Sequence, residues 1–213
     1  MMIHAYQEIY LGKAMSTMGD LFDSAVYEYG IEGAEFVKYF LNSTACRRLE
    51  AGEASYLVGK TGTEIVLEIL QEVTGKKMQP EIQVQYKRSA EYWCGWSVCY
   101  YQWLTSRRFA EIFAAVSFSD LLELYPLLHE ADVTRTAEIL EKRIQKAFPD
   151  TNLRRIRLAY GCSQKELARL SGVSLRSIQM YEQRNKDINH AQAASVYRLA
   201  KALGCQIEDL LEK

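Results

Sequence analysis

The sequence of 213 residues is 48% apolar, 25% charged and 11% aromatic, with only 3 prolines. This composition is typical of globular proteins and excludes collagen-like, low-complexity and disordered chains. The longest stretch without a charged residue, 92–106, is shorter than the roughly 20 residues that cross a membrane. Because Glu8 also interrupts the first apolar positions, we expect a cytoplasmic protein without a signal peptide or membrane contact.

The charge is unevenly distributed along the chain. Residues 150–213 contain 11 basic and 7 acidic side chains, whereas residues 1–149 contain 15 basic and 20 acidic ones. A basic end on an acidic body indicates a nucleic-acid-binding module joined to a second domain. The five cysteines are scattered without a C-x-x-C pair, which favours reduced thiols over disulfides or a structural zinc site.

Helical periodicity dominates the first 149 residues. Apolar side chains recur three and four positions apart in four segments, which predicts amphipathic helices. The four stripes are Met18, Leu21, Phe22, Ala25, Val26 and Tyr29; Val66, Ile69, Leu70 and Val73; Trp93, Trp96, Tyr100, Trp103 and Leu104; and Val133, Ala137, Leu140, Ile144 and Phe148. Only Ile82, Val84 and Tyr86 alternate with polar residues, which predicts a short extended segment, a loop or an edge ribbon.

Aromatic side chains are densest in the third of these helices. Such rings suit both a domain core and an interface. We favour a helix buried in the core; the alternative is a surface that binds a partner or ligand through Tyr92, Trp93, Trp96, Tyr100 and Tyr101. Tyr92 and Tyr101 lie off the main stripe, so we expect these two rings to be the more exposed ones.

No catalytic arrangement is evident in the first 149 residues. Gly59-Lys60-Thr61 imitates the end of a phosphate-binding loop, but Ala54 occupies the position of the required earlier glycine. Thr61 and Glu64 form a better capping box for the next helix. His129-Glu130 lacks the second histidine of a metalloprotease motif, and the three histidines are too widely spaced for a metal site. We therefore expect no enzyme, no metal and no cofactor.

Pro149 follows the fourth stripe and is the predicted domain boundary, because proline ends a helical pattern. We expect a helical sensing or partner-binding domain over residues 1–149 and a second domain over residues 150–213.

Five short helices are predicted in the second domain. Their inward residues are Leu153, Ile156 and Tyr160 in the first; Leu167 and Ala168 in the second; Ile178 and Tyr181 in the third; Val196, Leu199, Ala200 and Leu203 in the fourth; and Ile207, Leu210 and Leu211 in the fifth. Ser163 and Ser174 would cap the second and third helices, and Asn189 the fourth. Gly172 lies in a turn of three or four residues between the second and third helices, which is the helix-turn-helix spacing.

Residues of a single pattern extend over all five helices. They are Leu153-x-x-Ile156-Arg157, Ser163-Gln164-x-x-Leu167-Ala168, Ser171-Gly172-Val173-Ser174, Ile178-x-x-Tyr181-Glu182, Leu199-Ala200-x-Ala202-Leu203-Gly204 and Asp209-Leu210-Leu211. This pattern resembles the phage-repressor (Cro-like, XRE) helix-turn-helix family. The resemblance implies an all-α protein with a lambda-repressor-like domain that binds double-stranded DNA as a homodimer and regulates transcription, more often as a repressor.

The resemblance also implies how DNA would be contacted. The third helix, about residues 174–183, would enter the major groove. It would present Ser174, Leu175, Arg176, Ser177, Gln179 and Met180 to the DNA. Arg176 is the best base reader among them, because a guanidinium can donate two hydrogen bonds to guanine. Gln164 would bind a backbone phosphate and brace the third helix.

Two further roles follow from the same resemblance. Arg157 and Glu182 would form a structural salt bridge between the first and third helices. Arg184 stands where many family members have glycine, so we expect Asn185 to adopt the left-handed conformation and Arg184 to reach a phosphate.

A second resemblance concerns the N-terminal domain. Ala90-Glu91-Tyr92-Trp93-x-Gly95-Trp96 and Leu124-Tyr125-Pro126-x-Leu128-His129-Glu130-Ala131-Asp132 are similar to the N-terminal part of uncharacterised regulators of Gram-positive anaerobes, whose genes often neighbour candidate toxin genes. This implies an alternative function, an antitoxin whose N-terminal domain binds a toxin. A regulator that responds to a small ligand in the aromatic region is the third alternative.

Overall fold

The computed structural model describes residues 4–75, 88–148 and 150–212. The chain divides into two compact units, one ending at Ala147 and the other beginning at Phe148. All regular elements in the described ranges are helical, which confirms the all-α prediction. Within these ranges, every helix is too short or too polar to cross a bilayer. The predicted extended segment with Ile82, Val84 and Tyr86 lies outside the described residues.

The N-terminal unit begins with a short 3-10 helix, Glu8–Tyr10, followed by α-helices. These are α1 (Leu11–Tyr27), α2 (Gly33–Asn42), α3 (Thr44–Glu50), α4 (Ala54–Leu57), α5 (Gly62–Thr74), α6 (Ala90–Thr105), α7 (Phe109–Ala115), α8 (Phe118–Leu128) and α9 (Val133–Ala147). Thr61 and Glu64 form the predicted capping box at the start of α5. The outermost members of two stripes, Val73 and Phe148, are exposed because they lie in the last turn of a helix or beyond it.

Helices α1 and α6 pack closely through two glycines. Gly19 in α1 lies against the ring of Tyr92, and Gly95 in α6 lies against the backbone of Met18. A Cβ atom at either glycine would overlap these neighbours. The two glycines therefore allow α6 to approach α1 more closely than larger residues at these positions would permit.

The burial of α6 corrects one prediction. Tyr92 and Tyr101, which we expected to be exposed, are only 5% and 1% exposed. Tyr92 packs on Gly19 of α1, and the Tyr101 hydroxyl donates to Glu141 of α9, so α6 has partners on more than one side. The partly exposed rings are instead Trp96 and Tyr100, which lie on the apolar stripe.

The C-terminal unit contains the five predicted α-helices and one 3-10 helix, Ile188–His190. The α-helices are α10 (Asn152–Tyr160), α11 (Gln164–Ser171), α12 (Leu175–Glu182), α13 (Ala193–Leu203) and α14 (Ile207–Leu210). Their core comprises Leu153, Cys162, Leu167, Val173, Ile178, Tyr181, Ile188, Val196, Leu199, Ala200, Leu203 and Leu210.

Two details of this unit differ from the prediction. Tyr160 is 55% exposed rather than inward-facing, and the buried face of α10 is formed by Leu153 and Arg157. Asn189 does not cap α13, which begins after Gln192, because Asn189 lies in the 3-10 helix. Its side-chain amide instead binds the backbone N–H and C=O of Glu212 near the end of the chain.

Candidate nucleic-acid interface

Helices α11 and α12 are joined by the three-residue turn Gly172-Val173-Ser174. Gly172 ends α11 with a left-handed φ of 66°, a conformation that glycine adopts without strain. Val173 is buried, and Ser174 Oγ accepts a hydrogen bond of 3.1 Å from the Ser177 amide. The turn therefore fixes the entry of α12 by backbone conformation, burial and a side-chain cap.

A buried ion pair holds the other end of α12. The Arg157 guanidinium donates from Nε to Glu182 Oε1 at 2.6 Å and from a terminal nitrogen to Glu182 Oε2 at 2.9 Å. A further bond of 2.8 Å runs from Arg157 to the carbonyl of Cys162. Arg157 and Glu182 are 7% and 6% exposed. This pair joins α10 to α12, and it is bidentate, the geometry in which a guanidinium binds a carboxylate best.

Gln164 extends this arrangement to α11. Its Nε2 donates to Glu182 Oε2 at 2.8 Å, so one carboxylate receives hydrogen bonds from two other helices. Burial opposes ionisation of Glu182, but the hydrogen bonds from Arg157 and Gln164 outweigh it and lower the pKa of the Glu182 carboxyl. The negative charge at the end of α12 is thus stabilised.

The outer face of α12 carries the side chains that the resemblance assigned to DNA. Ile178 and Tyr181 are buried in the domain core. Arg176 and Ser174 are exposed at the start of the helix, and the remaining members of the set are half-buried: Leu175, Ser177, Gln179 and Met180. The hydroxyls of Ser174 and Ser177 are 2.8 Å apart and hydrogen-bonded to each other.

The backbone conformation after α12 differs from the prediction. Arg184 itself, not Asn185, has the left-handed conformation, with φ of 55°. Its guanidinium lies 3.4 Å from both the carbonyl of Phe148 and Glu212 Oε2. A side chain at this φ costs about 1–2 kcal/mol relative to right-handed backbone. The ion pair with Glu212 offsets part of that cost, which explains how a residue other than glycine or asparagine is accommodated.

Comparison with known families agrees with this geometry. The helix-turn-helix family model matches residues 153–210. These residues form a helix-turn-helix domain. It is of the XRE, lambda-repressor-like type, a type found in DNA-binding transcription regulators. No significant match was found among curated proteins or among solved structures.

The aromatic residues proposed as a partner or ligand surface fall into two groups. Tyr92, Trp93 and Trp96 line one cleft of the N-terminal unit. Tyr101 instead binds Glu141, and the Tyr100 ring lies 5.8 Å from the ring of Trp103. The cleft is completed by residues that sequence reasoning did not select: Arg88, Ser89, Tyr125 and His129. The resemblances quoted for residues 90–96 and 124–132 were the signals near them.

Removal of the Glu182 carboxylate should destabilise the C-terminal unit. Glu182→Ala would leave the buried Arg157 charge unpaired, and loss of one partner of a buried pair costs about 3–5 kcal/mol. Chemical denaturation should show this loss, whereas Glu208→Ala, at an exposed position in α14, should change stability by less than about 0.5 kcal/mol. Because the folded pKa of Glu182 is lowered, its contribution should be present at neutral pH and disappear as the pH falls below about 4. Equal midpoints for the two variants would contradict the structural role of the pair.

The left-handed conformation of Arg184 leads to a second prediction. Arg184→Gly and Arg184→Ala both remove the ion pair with Glu212, but only alanine keeps a Cβ atom at positive φ. We therefore expect the glycine variant to be more stable than the alanine variant by about 1 kcal/mol in urea denaturation. The reverse order would show that the helix ends in another conformation.

Proposed function

We propose that the protein is a sequence-specific transcriptional repressor that binds double-stranded DNA with α12 in the major groove. The main support is the position of Arg176, exposed in the first turn of a short helix whose opposite face is buried. A helix-turn-helix domain reads bases with the N-terminal residues of its second helix. Residues 150–213, with 11 basic and 7 acidic side chains, also suit a polyanionic partner.

Each side chain of the set has a role in this proposal. Arg176 would donate two hydrogen bonds to guanine, and Leu175 and Met180 would contact thymine methyl groups. Ser174, Ser177 and Gln179 would offer polar contacts, although the serine hydroxyls already cap α12 and bind each other.

Phosphate binding would come mainly from the start of α11. Gln164 lies at its first residue, where helix N–H groups favour an anion. One of its amide N–H groups is bound to Glu182, so Gln164 would link a DNA phosphate to the ion pair that orients α12. Arg184 would contact a second phosphate after leaving Glu212.

Residues 1–149 are proposed as the sensing or partner-binding domain of a cytoplasmic homodimer without enzymatic activity. A single helix-turn-helix reads too few base pairs for strong discrimination, so two copies would bind an inverted repeat. The four-residue α14 is small compared with the roughly 800 Å² per partner of a stable interface. The N-terminal unit is the better source of a dimer interface.

The antitoxin function remains the second proposal, supported by the resemblance of residues 90–96 and 124–132. The burial of Tyr92, Trp93 and Tyr101 limits it, because a toxin could reach few of those rings without unfolding the domain. Co-expression with the neighbouring gene tests it: a stable complex that relieves toxicity would favour the antitoxin over the repressor.

Arg176 provides the test of DNA reading. An operator is first selected from random duplexes with the full chain, and binding is then measured by fluorescence anisotropy. Arg176→Ala should weaken operator binding by about 1–3 kcal/mol and leave non-specific binding nearly unchanged. Arg198→Ala, an exposed arginine on α13, is the matched control and should not change discrimination. If Arg176→Ala weakened operator and random DNA equally, the proposed base contact would be wrong.

The dimer is tested by light scattering. The full chain should be a dimer at micromolar concentration, whereas residues 150–213 alone should be monomeric and bind the operator much more weakly. A monomeric full chain would refute the proposed assembly, as would a fragment that dimerises equally well.

A further inference from the structure

A cleft of about 240 Å³ opens in the N-terminal unit between α6 and α8. Its walls are mainly aromatic, formed by Tyr92, Trp93 and Trp96 from α6 and by Tyr125 from α8. Arg88, Ser89 and His129 contribute the polar groups of the lining. Pockets for drug-sized ligands usually measure about 300–1,000 Å³, so this cleft suits a smaller compound.

The aromatic walls are held in place by contacts with one another. The rings of Trp93 and Tyr125 meet edge to face, with centroids 5.7 Å apart and an interplanar angle of 68°. His129 stacks on Tyr125 at 4.5 Å, and its Nδ1 lies 2.8 Å from the Tyr125 carbonyl. Trp96 and Tyr125 remain partly exposed, so two large apolar rings face solvent within a preformed concave surface. Such surfaces favour a flat, apolar ligand that can stack.

The charged residues around the cleft determine which ligand charge is favoured. The Arg88 guanidinium lies 4.5 Å from the centre of the Tyr92 ring and is exposed at the cleft. Three carboxylates surround this region: Asp23 accepts a hydrogen bond from Ser89, and Glu130 lies 3.7 Å from His129. The third, Asp20, is exposed, and partial desolvation raises the pKa of its carboxyl despite the opposing effect of Lys13 and Arg88. A cationic ligand would meet Arg88, which already occupies the face of Tyr92 where a cation would otherwise bind. An anionic group on the ligand can instead pair with Arg88.

The geometry points to a binding site for a small planar aromatic carboxylate, with its ring on Trp96 beside the Tyr125–His129 stack and its carboxylate on Arg88. This inference specifies the ligand of the sensing domain; any effect of the ligand on transcription rests on the proposed function, but the binding itself does not.

Calorimetric titration of the full chain tests the site with three probes of similar shape. Indole-3-carboxylate should bind, whereas neutral indole and cationic tryptamine should bind about tenfold more weakly or worse, because they lack a charge-assisted contact to Arg88. The titration contains no DNA, so its failure is distinguishable from failure of the proposed DNA binding. Absence of heat with all three probes at millimolar concentration would overturn the inference, as would equal affinities for them.

Two variants locate the bound probe. Arg88→Gln should remove the preference for the carboxylate while keeping weak indole binding, and Trp96→Leu should weaken every probe. Arg108→Gln is the matched control, because Arg108 is exposed, pairs with Glu111 and does not line the cleft. Circular dichroism and thermal unfolding check that each variant is folded. Unchanged binding in both cleft variants, or equal loss in the control, would overturn the assignment of the site.

Discussion

The carboxylate of Glu182 is where three helices of the C-terminal unit meet, and the orientation of α12 depends on it. Helix α12 has only eight residues, and an isolated helix of that length is unstable in water. Its direction is therefore set by tertiary contacts: the Ser174 cap at one end, Ile178 and Tyr181 beneath it, and the bonds from Arg157 and Gln164 at the other end. The ion pair need not raise the net stability, because burying two charges is costly. An orientation of α12 that separated Arg157 from Glu182 would leave two buried charges unpaired, so the pair disfavours other orientations.

The N-terminal unit is organised by a different constraint, the close approach of α1 and α6. Glycines at positions 19 and 95 allow this approach, and the aromatic residues of α6 then contact neighbours in several directions. Tyr92 faces α1, Tyr101 reaches α9, and Trp93 contacts Tyr125 of α8. Trp96 and Tyr125 remain partly exposed beside these contacts, and both line the cleft.

The features of the C-terminal unit are mostly local, whereas those of the N-terminal unit depend on packing between helices, and this determines which of them could be predicted from the sequence. In the C-terminal unit, the turn at Gly172, the Ser174 cap and the buried Ile178 and Tyr181 are local or periodic features, and their prediction agrees with the structure. A single apolar stripe predicts burial on one side of a helix, whereas α6 is packed on several sides, so Tyr92 and Tyr101 are buried although they lie off the stripe. The Arg157–Glu182 bond was expected only because the family resemblance implied it. Outside that pattern a long-range bond could not be predicted: nothing near Asn189 indicates that its partner is Glu212, 23 positions later. Arg88 belongs to no motif, and His129 was tested only as part of a metal-binding motif, so neither was assigned to the cleft.

Arg184 shows how a tertiary contact can override a local preference and also limit a functional role. Local propensity favours glycine or asparagine at positive φ, yet Arg184 adopts it while its guanidinium lies near Glu212 and the Phe148 carbonyl. The Glu212 carboxylate also accepts a hydrogen bond from the backbone N–H of Asn152. In the proposed complex, Arg184 would lose these contacts when it binds a phosphate. Its contribution to affinity would therefore be the free energy of the phosphate contact minus that of the contacts it gives up. The Arg176 side chain, which is exposed, has no comparable ion pair among the described contacts to give up. Of the two arginines, Arg176 should therefore contribute more to binding, and its contribution should depend on sequence whereas that of Arg184 should not.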